Sequence, residues 1–101
     1  MPQRYPVTAL ASIAPSSGQA FTVAGRRIAL FNIAGIIHAM DDMCPHAGAP
    51  LSDGRLHGCV VTCPWHGWEF DVTNGRMPGQ DQDCQTVYPV TINGDQIEVE
   101  V

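Results

Sequence analysis

The chain has 101 residues, of which 45% are hydrophobic and 15% are charged, and its formal net charge is −5. This length suits one small domain over residues 1–101, and the composition argues against intrinsic disorder. The acidic excess argues against nucleic acid as a partner, because phosphate would be repelled. No apolar run approaches the length of a membrane span or of a signal-peptide core. We therefore expect a cytoplasmic protein that binds neither nucleic acid nor a membrane.

The first part of the chain predicts short strands separated by turns. Apolar and β-branched residues alternate with clusters of Gly, Pro and Ser, such as the turn cluster at 15–18. The predicted strands are 5–9, 21–23, 27–33 and 36–40. His38 lies in the last of these strands, and we expect it to be structural rather than a ligand.

The second part continues the same pattern and shows no helical periodicity. Leu56–Thr62 predicts one strand, in which His57 is again expected to be structural, and the alternation in 68–72 predicts another. Residues 77–85 are polar and predict a loop, and 86–92 with 96–101 predict a final hairpin. The sequence therefore predicts an all-β sandwich or barrel.

Two short motifs each place a cysteine and a histidine within one turn. Cys44-Pro45-His46 and Cys63-Pro64-Trp65-His66 are separated by enough chain for a strand, a turn and a returning strand. Thiolate together with imidazole suits zinc or an iron–sulfur cluster. Zinc fingers usually pair like ligands with like, and the prolines disfavour a helix at either motif. A binuclear cluster explains the mixture better, because each loop can then give one ligand to each iron.

The two motifs continue into longer boxes that resemble a known family. CPHAGAPL and CPWHGWEFD resemble the two boxes of Rieske [2Fe–2S] proteins, and segments 27–32 and 88–90 resemble the flanking strands of that family. The resemblance implies a Rieske-like antiparallel β-fold, with a small cluster-binding subdomain of two loops at roughly 41–75. It also implies that a [2Fe–2S] cluster is held by the ligands Cys44, His46, Cys63 and His66.

Four further positions indicate which type of Rieske protein the chain resembles. The respiratory type joins its boxes by a disulfide, whereas Ala49 and Trp65 occupy those positions here. Trp68 and Phe70 replace a Ser and a Tyr whose hydroxyls donate to sulfur in the respiratory type. Without these donors we predict a low potential, around −150 mV. Trp65 and Trp68 could shield the cluster from water or lie on the path by which the electron leaves, but packing around the small core is the favoured role for both.

The resemblance implies a ferredoxin and not an enzyme. Such a protein is a one-electron carrier between a flavin-dependent ferredoxin reductase and a terminal oxygenase. Two alternatives stay open: a small Rieske subunit of a larger reductase, such as assimilatory nitrite reductase, and a zinc-stabilised interaction module. The intact set of four ligands favours the carrier over the subunit. Of the other cysteines, Cys59 is expected to be a small buried hydrophobe, and no role is predicted for Cys84.

Overall fold

The described residues form an all-β structure, as the sequence predicts. The computed structural model describes residues 3–43, 49–65, 67–77, 79 and 85–101. Over these ranges the chain forms ten strands, with single-turn 3-10 helices at Leu10–Ser12 and Leu51–Asp53. No helix in these ranges is long and apolar enough to cross a membrane. The strands are β1 (Arg4–Ala9), β2 (Ser17–Val23), β3 (Arg26–Ile33), β4 (Ile36–Asp41), β5 (Arg55–His57), β6 (Val60–Thr62), β7 (Glu69–Asp71), β8 (Val87–Tyr88), β9 (Val90–Asn93) and β10 (Gln96–Glu100).

The strands pair into three antiparallel sheets. Their orders are β1-β10-β9, β2-β3-β4-β8 and β5-β6-β7. The sheet β5-β6-β7 lies within the region predicted to bind the cluster, and the other two sheets contain the rest of the strands.

Strand β3 separates two hydrophobic cores. Successive side chains of a strand point to opposite faces, so alternate residues of β3 enter different cores. Ile28 and Leu30 join the core formed with Ile97 and Val99 of β10. Ala29 and Phe31 join the other core, which contains side chains of β6 and β7. The four-stranded sheet is therefore covered on both faces.

The predicted single strand over 56–62 is wrong, because the chain turns back in its middle. Gly58 and Cys59 form a turn between β5 and β6, and Leu56 pairs directly with Val61. Gly58 has φ +57, which an L-residue rarely adopts and which a continuous strand does not contain. Apolar residues lie on both sides of Gly58, so the sequence pattern did not indicate this hairpin. The wider prediction of a strand, a turn and a returning strand before Cys63 is confirmed.

Two other predicted elements have different boundaries in the structure. Strand β2 begins at Ser17, so the predicted turn cluster 15–18 contributes its last residues to a strand. The predicted strand 86–92 is interrupted at Pro89, which has no N–H to donate. Before the proline, β8 pairs with β4, and after it β9 pairs with β10. Pro89 therefore marks the point where the chain changes sheets.

Candidate metal centre

Cys63 is the one predicted ligand among the described residues, since Cys44, His46 and His66 lie outside them. It directly follows β6 and is 2% exposed. Its neighbours in the buried core include Leu51, Val61 and Phe70. A free thiolate is disfavoured in such apolar surroundings, whereas a thiolate bound to a metal is compatible with them.

A tight turn follows Cys63 and fixes its backbone. The Cys63 N–H donates to the carbonyl oxygen of Trp68 at 2.7 Å, and the Gly67 N–H donates to the carbonyl oxygen of Cys63 at 3.1 Å. Gly67 has φ +72, and no described atom lies within 4 Å of a Cβ built on it. Within the described residues, glycine is thus required here by the turn and not by close packing.

The two ends of the first predicted ligand loop are held side by side. Met43 and Pro50 form an antiparallel bridge on either side of residues 44–49. Ala49 and Leu51 at the returning end are fully buried in the same core as Cys63. The returning end of the loop therefore packs in the core that contains Cys63, and the bridge to Pro50 holds the start of the loop next to it.

Asp42 holds the start of this loop in place through several hydrogen bonds. Its side chain is fully buried, and its Oδ2 accepts from Arg27 Nε at 2.7 Å. Its Oδ1 accepts from the Ser52 backbone N–H at 2.8 Å. The Asp42 backbone N–H also donates to the Arg27 carbonyl oxygen at 3.1 Å. This carboxylate joins β3, the start of the loop and the segment that follows it, a role that the sequence alone did not indicate.

Gln85 also forms hydrogen bonds with the segment that leads into this loop. Its side chain is 9% exposed, and its Nε2 donates to the carbonyl oxygens of Asp41 and Met43, at 3.0 and 2.6 Å. The sequence placed Gln85 in a polar loop. Its two acceptors lie 44 and 42 residues away in the chain, so no local pattern could reveal these contacts.

Tyr88 holds the end of β4 through its hydroxyl group. The Tyr88 O–H donates to Asp41 Oδ1 at 2.6 Å. Partial burial raises the pKa of Tyr88, and the hydrogen bond and negative charge of Asp41 raise it further, while Arg26 acts in the opposite direction. The proton of Tyr88 is therefore held more tightly than that of an ordinary tyrosine.

Two large apolar side chains next to the predicted ligands face solvent. Trp65 is 64% exposed and Met43 is 55% exposed. Trp65 precedes His66, and Met43 precedes Cys44. The expectation that Trp65 packs in the core is wrong. Trp68, at 36%, is less exposed. An exposed tryptophan of this kind is typical of a contact surface.

Two cysteines and two histidines lie outside the proposed ligand set. Cys59 lies in the turn between β5 and β6, where it is a free, half-buried thiol packed against the core around Cys63. It is thus less buried than the sequence suggested. Cys84 lies outside the described residues. His38 is in β4 and His57 is in β5, where it lines a surface pocket together with Cys63, and the structural role expected for both stays a prediction.

Comparison with known proteins identifies the family. The family model of the Rieske [2Fe–2S] domain matches residues 3–89. The ferredoxin component of the naphthalene 1,2-dioxygenase system from Pseudomonas aeruginosa is 39% identical over 82 residues, which are 79% of this chain and 78% of that protein. The chain belongs to the Rieske [2Fe–2S] domain family.

Solved structures agree with this assignment. A complex of reduced oxygenase and oxidized ferredoxin in carbazole 1,9a-dioxygenase matches with a TM-score of 0.84 and 28% identity, over 95% of this chain and 91% of that one. A putative NADH-dependent nitrite reductase small subunit from Mycobacterium tuberculosis matches with a TM-score of 0.88, over 100% of this chain and 96% of that one. At 23% identity, this match shows only that the two proteins share a fold. The chain is an electron carrier of the ferredoxin kind and not an enzyme.

The described residues fit a [2Fe–2S] cluster, which is the cofactor of this family. The buried Cys63 would supply a thiolate in an apolar setting, and the first proposed ligand loop returns to the same core at Ala49 and Leu51. Phe70 is fully buried beside Cys63 and has no hydroxyl group to donate to sulfur. The lack of a hydroxyl donor at this position is consistent with a low midpoint potential of the cluster, which stays a prediction.

Proposed function

We propose that this protein passes single electrons from a flavin-dependent ferredoxin reductase to a terminal oxygenase. The proposed cluster ligands are Cys44, His46, Cys63 and His66. Among the described residues the proposal depends on one observation above all: an exposed aromatic side chain, that of Trp65, lies two positions after the buried Cys63. An electron carrier needs a buried redox centre next to an exposed contact residue, because the centre must be protected while a partner docks close to it.

The residues of the chain have distinct parts in this function. When bound, the [2Fe–2S] cluster accepts and releases one electron. Cys63 would hold it from within the apolar core, where water is excluded. The exposed Trp65 and Met43 would contact the partner, since large apolar side chains supply much of the energy in transient interfaces.

The charge of the chain favours partners with basic docking surfaces. Its acidic residues outnumber its basic residues by ten to five. Opposite charge accelerates association more than it strengthens the final complex, which suits a carrier that must also dissociate quickly. As part of the same proposal the protein acts in the cytoplasm, where the free thiol of Cys59 would stay reduced.

The first test is a redox titration of the purified protein followed by electron paramagnetic resonance. We expect a Rieske-type signal that develops only at low potential, around −150 mV. A high midpoint would contradict the interpretation of Trp68 and Phe70. A colourless protein that contains zinc would refute the function altogether.

A pair of cysteine variants tests the ligand assignment. Cys63→Ser should abolish the visible absorption and the paramagnetic signal, because an essential thiolate is lost. Cys59→Ser is the matched control, since Cys59 is a second cysteine packed against the same core. It should keep both signals. Loss of the cluster from Cys59→Ser, or its retention in Cys63→Ser, would contradict the assignment.

The small subunit of a nitrite reductase is the second candidate, and the shared fold favours it. The two functions separate in a reconstituted assay. A carrier reduced by a flavin-dependent reductase transfers electrons to a separate oxygenase, whereas a subunit copurifies with a large reductase. Failure to accept electrons from such reductases, together with stable copurification, would support the subunit.

A further inference from the structure

Gln85 lies between the start of the first proposed ligand loop and the turn that follows β7. Its side-chain amide donates to the carbonyl oxygen of Met43, which directly precedes Cys44. Its backbone N–H donates at 2.9 Å to the carbonyl oxygen of Gly75, which lies in the turn after β7. One residue therefore contacts the segment that enters the first loop and the segment that follows the second.

The contact with Gly75 continues to the pair of strands β6 and β7. The Gly75 N–H donates at 2.7 Å to the carbonyl oxygen of Asp71, the last residue of β7. Asp71 pairs with Val60 at the start of β6, and Cys63 follows the other end of that short strand. A Cβ on Gly75 would overlap the carbonyl oxygen of Gln85, so the two backbones are in close contact. The start of the first loop is thus joined through Gln85 to the strand pair that leads to Cys63.

The amide of Gln85 is buried and has two acceptors. Both N–H groups have a carbonyl partner, on Asp41 and on Met43, and the residue is 9% exposed. Buried amides without such partners are costly, so this arrangement holds the side chain in one orientation. The positions where the respiratory type is expected to have its disulfide are occupied by Ala49 and Trp65. A disulfide between those two positions is therefore excluded. Gln85 instead links the carbonyl oxygens of Met43 and Gly75 through hydrogen bonds.

We propose that Gln85 is a positioning residue that sets the separation of the two cluster-binding loops. It acts through the Met43 carbonyl on one side and the Gly75 carbonyl on the other. By limiting the movement of the loops, it slows loss of the cluster and keeps the ligand geometry uniform. The proposal rests on the ligand assignment of Cys44 and Cys63 given above.

The test replaces the amide without changing the length of the side chain. Gln85→Met removes both donors and leaves the carbonyl oxygens of Asp41 and Met43 without this partner. We expect the folded holoprotein to release iron to a chelator on the order of tenfold faster than the wild type. We also expect broader features in the paramagnetic spectrum of the reduced protein, because the loops would adopt a wider range of positions.

Asn32→Leu is the matched control for general destabilisation. Asn32 is also a buried amide, 5% exposed, and it makes two hydrogen bonds of 2.8 Å, to the carbonyl oxygen of Ile13 and from the N–H of Gly35. Neither partner belongs to a cluster-binding loop. Both variants should unfold at a lower temperature, but Asn32→Leu should release iron at the wild-type rate while folded and keep the wild-type spectrum.

Two outcomes would overturn the proposal, and a third variant separates it from the ligand assignment. Release at the wild-type rate by Gln85→Met, or equal acceleration by Asn32→Leu, would show that Gln85 has no special effect on the loops. Cys44→Ser tests the ligand by itself. Retention of the native cluster in Cys44→Ser would refute the assignment, whereas its loss there combined with firm retention in Gln85→Met would refute the positioning role alone.

Discussion

At the scale of single residues, the site combines a buried proposed ligand with an exposed aromatic side chain. Cys63 is 2% exposed and Trp65 is 64% exposed, although one residue separates them. Pro64 lies between them in the turn closed by the Gly67 N–H, so the chain reverses direction at the surface of the core. Burial would protect a metal centre bound at Cys63, and the reversal places the exposed Trp65 only two positions away in the chain.

Replacing Trp65 should affect partners more than the protein itself. In Trp65→Ser we expect the free energy of unfolding to change by about 0.5 kcal/mol or less, because the side chain is mostly solvated. Electron transfer to the oxygenase should slow about tenfold, as expected for loss of an aromatic contact residue. Stopped-flow kinetics with the purified partner measures this rate, and a redox titration checks that the midpoint potential is unchanged.

Ile36→Ser is the control for this experiment. Ile36 is 63% exposed, which matches Trp65, but it lies at the start of β4, at the opposite end of that strand from the ligand loop. It should transfer electrons at the wild-type rate. Equal slowing in both variants would indicate a general surface effect, and no slowing in Trp65→Ser would remove this residue from the docking surface.

The proposed ligand motifs are visible in the sequence, whereas the residues that support them are not. A cysteine and a histidine within one turn form a local pattern, so the motifs at 44–46 and 63–66 could be recognised directly, and their role as ligands stays a prediction. Gln85 and Asp42 have no comparable signal, because their partners are distant in the chain. The exposure of Trp65 was also missed, since an aromatic residue beside an apolar core is usually packed into it.

At the scale of elements, the hairpin β5–β6 brings Cys63 to the site. Gly54 precedes β5 and lies against the carbonyl oxygen of Thr62, which directly precedes Cys63. Its φ of −75 is accessible to any residue, so glycine is required there by space and not by conformation. The packing of the hairpin onto the preceding 3-10 turn therefore depends on a missing side chain.

Gly54→Ala should displace this hairpin. The added methyl group would overlap the backbone of Thr62, and we expect the free energy of unfolding to fall by about 3 kcal/mol, with partial loss of the cluster. Gly58→Ala is the control in the same hairpin, because no described atom lies within 4 Å of the methyl group it would add, but its φ is +57. It should cost about 1–2 kcal/mol through backbone strain and keep the cluster. Chemical denaturation and iron content measure both effects, and a fully loaded Gly54→Ala protein would contradict the argument.

The boundaries of strands were predicted well where apolar and polar residues alternate strictly. They were predicted poorly where no Gly-Pro-Asn cluster marks the turn. The closing hairpin was found because its strands alternate and Asn93-Gly94-Asp95 separates them. The turn at Gly58 was missed, since apolar residues continue on both sides of it and no proline marks it. The exchange of sheets at Pro89 could not be inferred, because pairing partners depend on distant strands.

At the scale of the whole molecule, the two cores share the strands β3 and β4. Because both strands contribute to both cores, we expect changes in the core around Cys63 to affect the core that contains β10. Strand β8 extends the same central sheet and supplies Tyr88, whose hydroxyl group contacts Asp41 at the end of β4. The stability of the cluster-binding region and that of the strand framework should therefore be linked.

Tyr88 makes this linked stability sensitive to alkaline pH. Its folded-state pKa is raised above 10.0, by burial first and then by Asp41. Between 10.0 and the folded pKa, the unfolded chain has lost the Tyr88 proton while the folded protein retains it. The contribution of Tyr88 to stability is thus fully present below pH 10.0 and is lost as pH rises through the folded pKa.

Comparing Tyr88→Phe with the wild type tests this dependence by chemical denaturation across a pH series. At neutral pH the variant should be less stable by about 1 kcal/mol, because the hydrogen bond to Asp41 is lost. Above pH 10.0 the difference should shrink, since the wild type loses a contribution that the variant never had. Tyr5→Phe removes the other tyrosine hydroxyl group, which donates to Gln3 just before β1, and is the control for loss of an exposed hydrogen bond of this kind. A difference between Tyr88→Phe and the wild type that stays constant with pH would show that the raised pKa of Tyr88 does not contribute to folding, and that the alkaline limit of the molecule is set elsewhere.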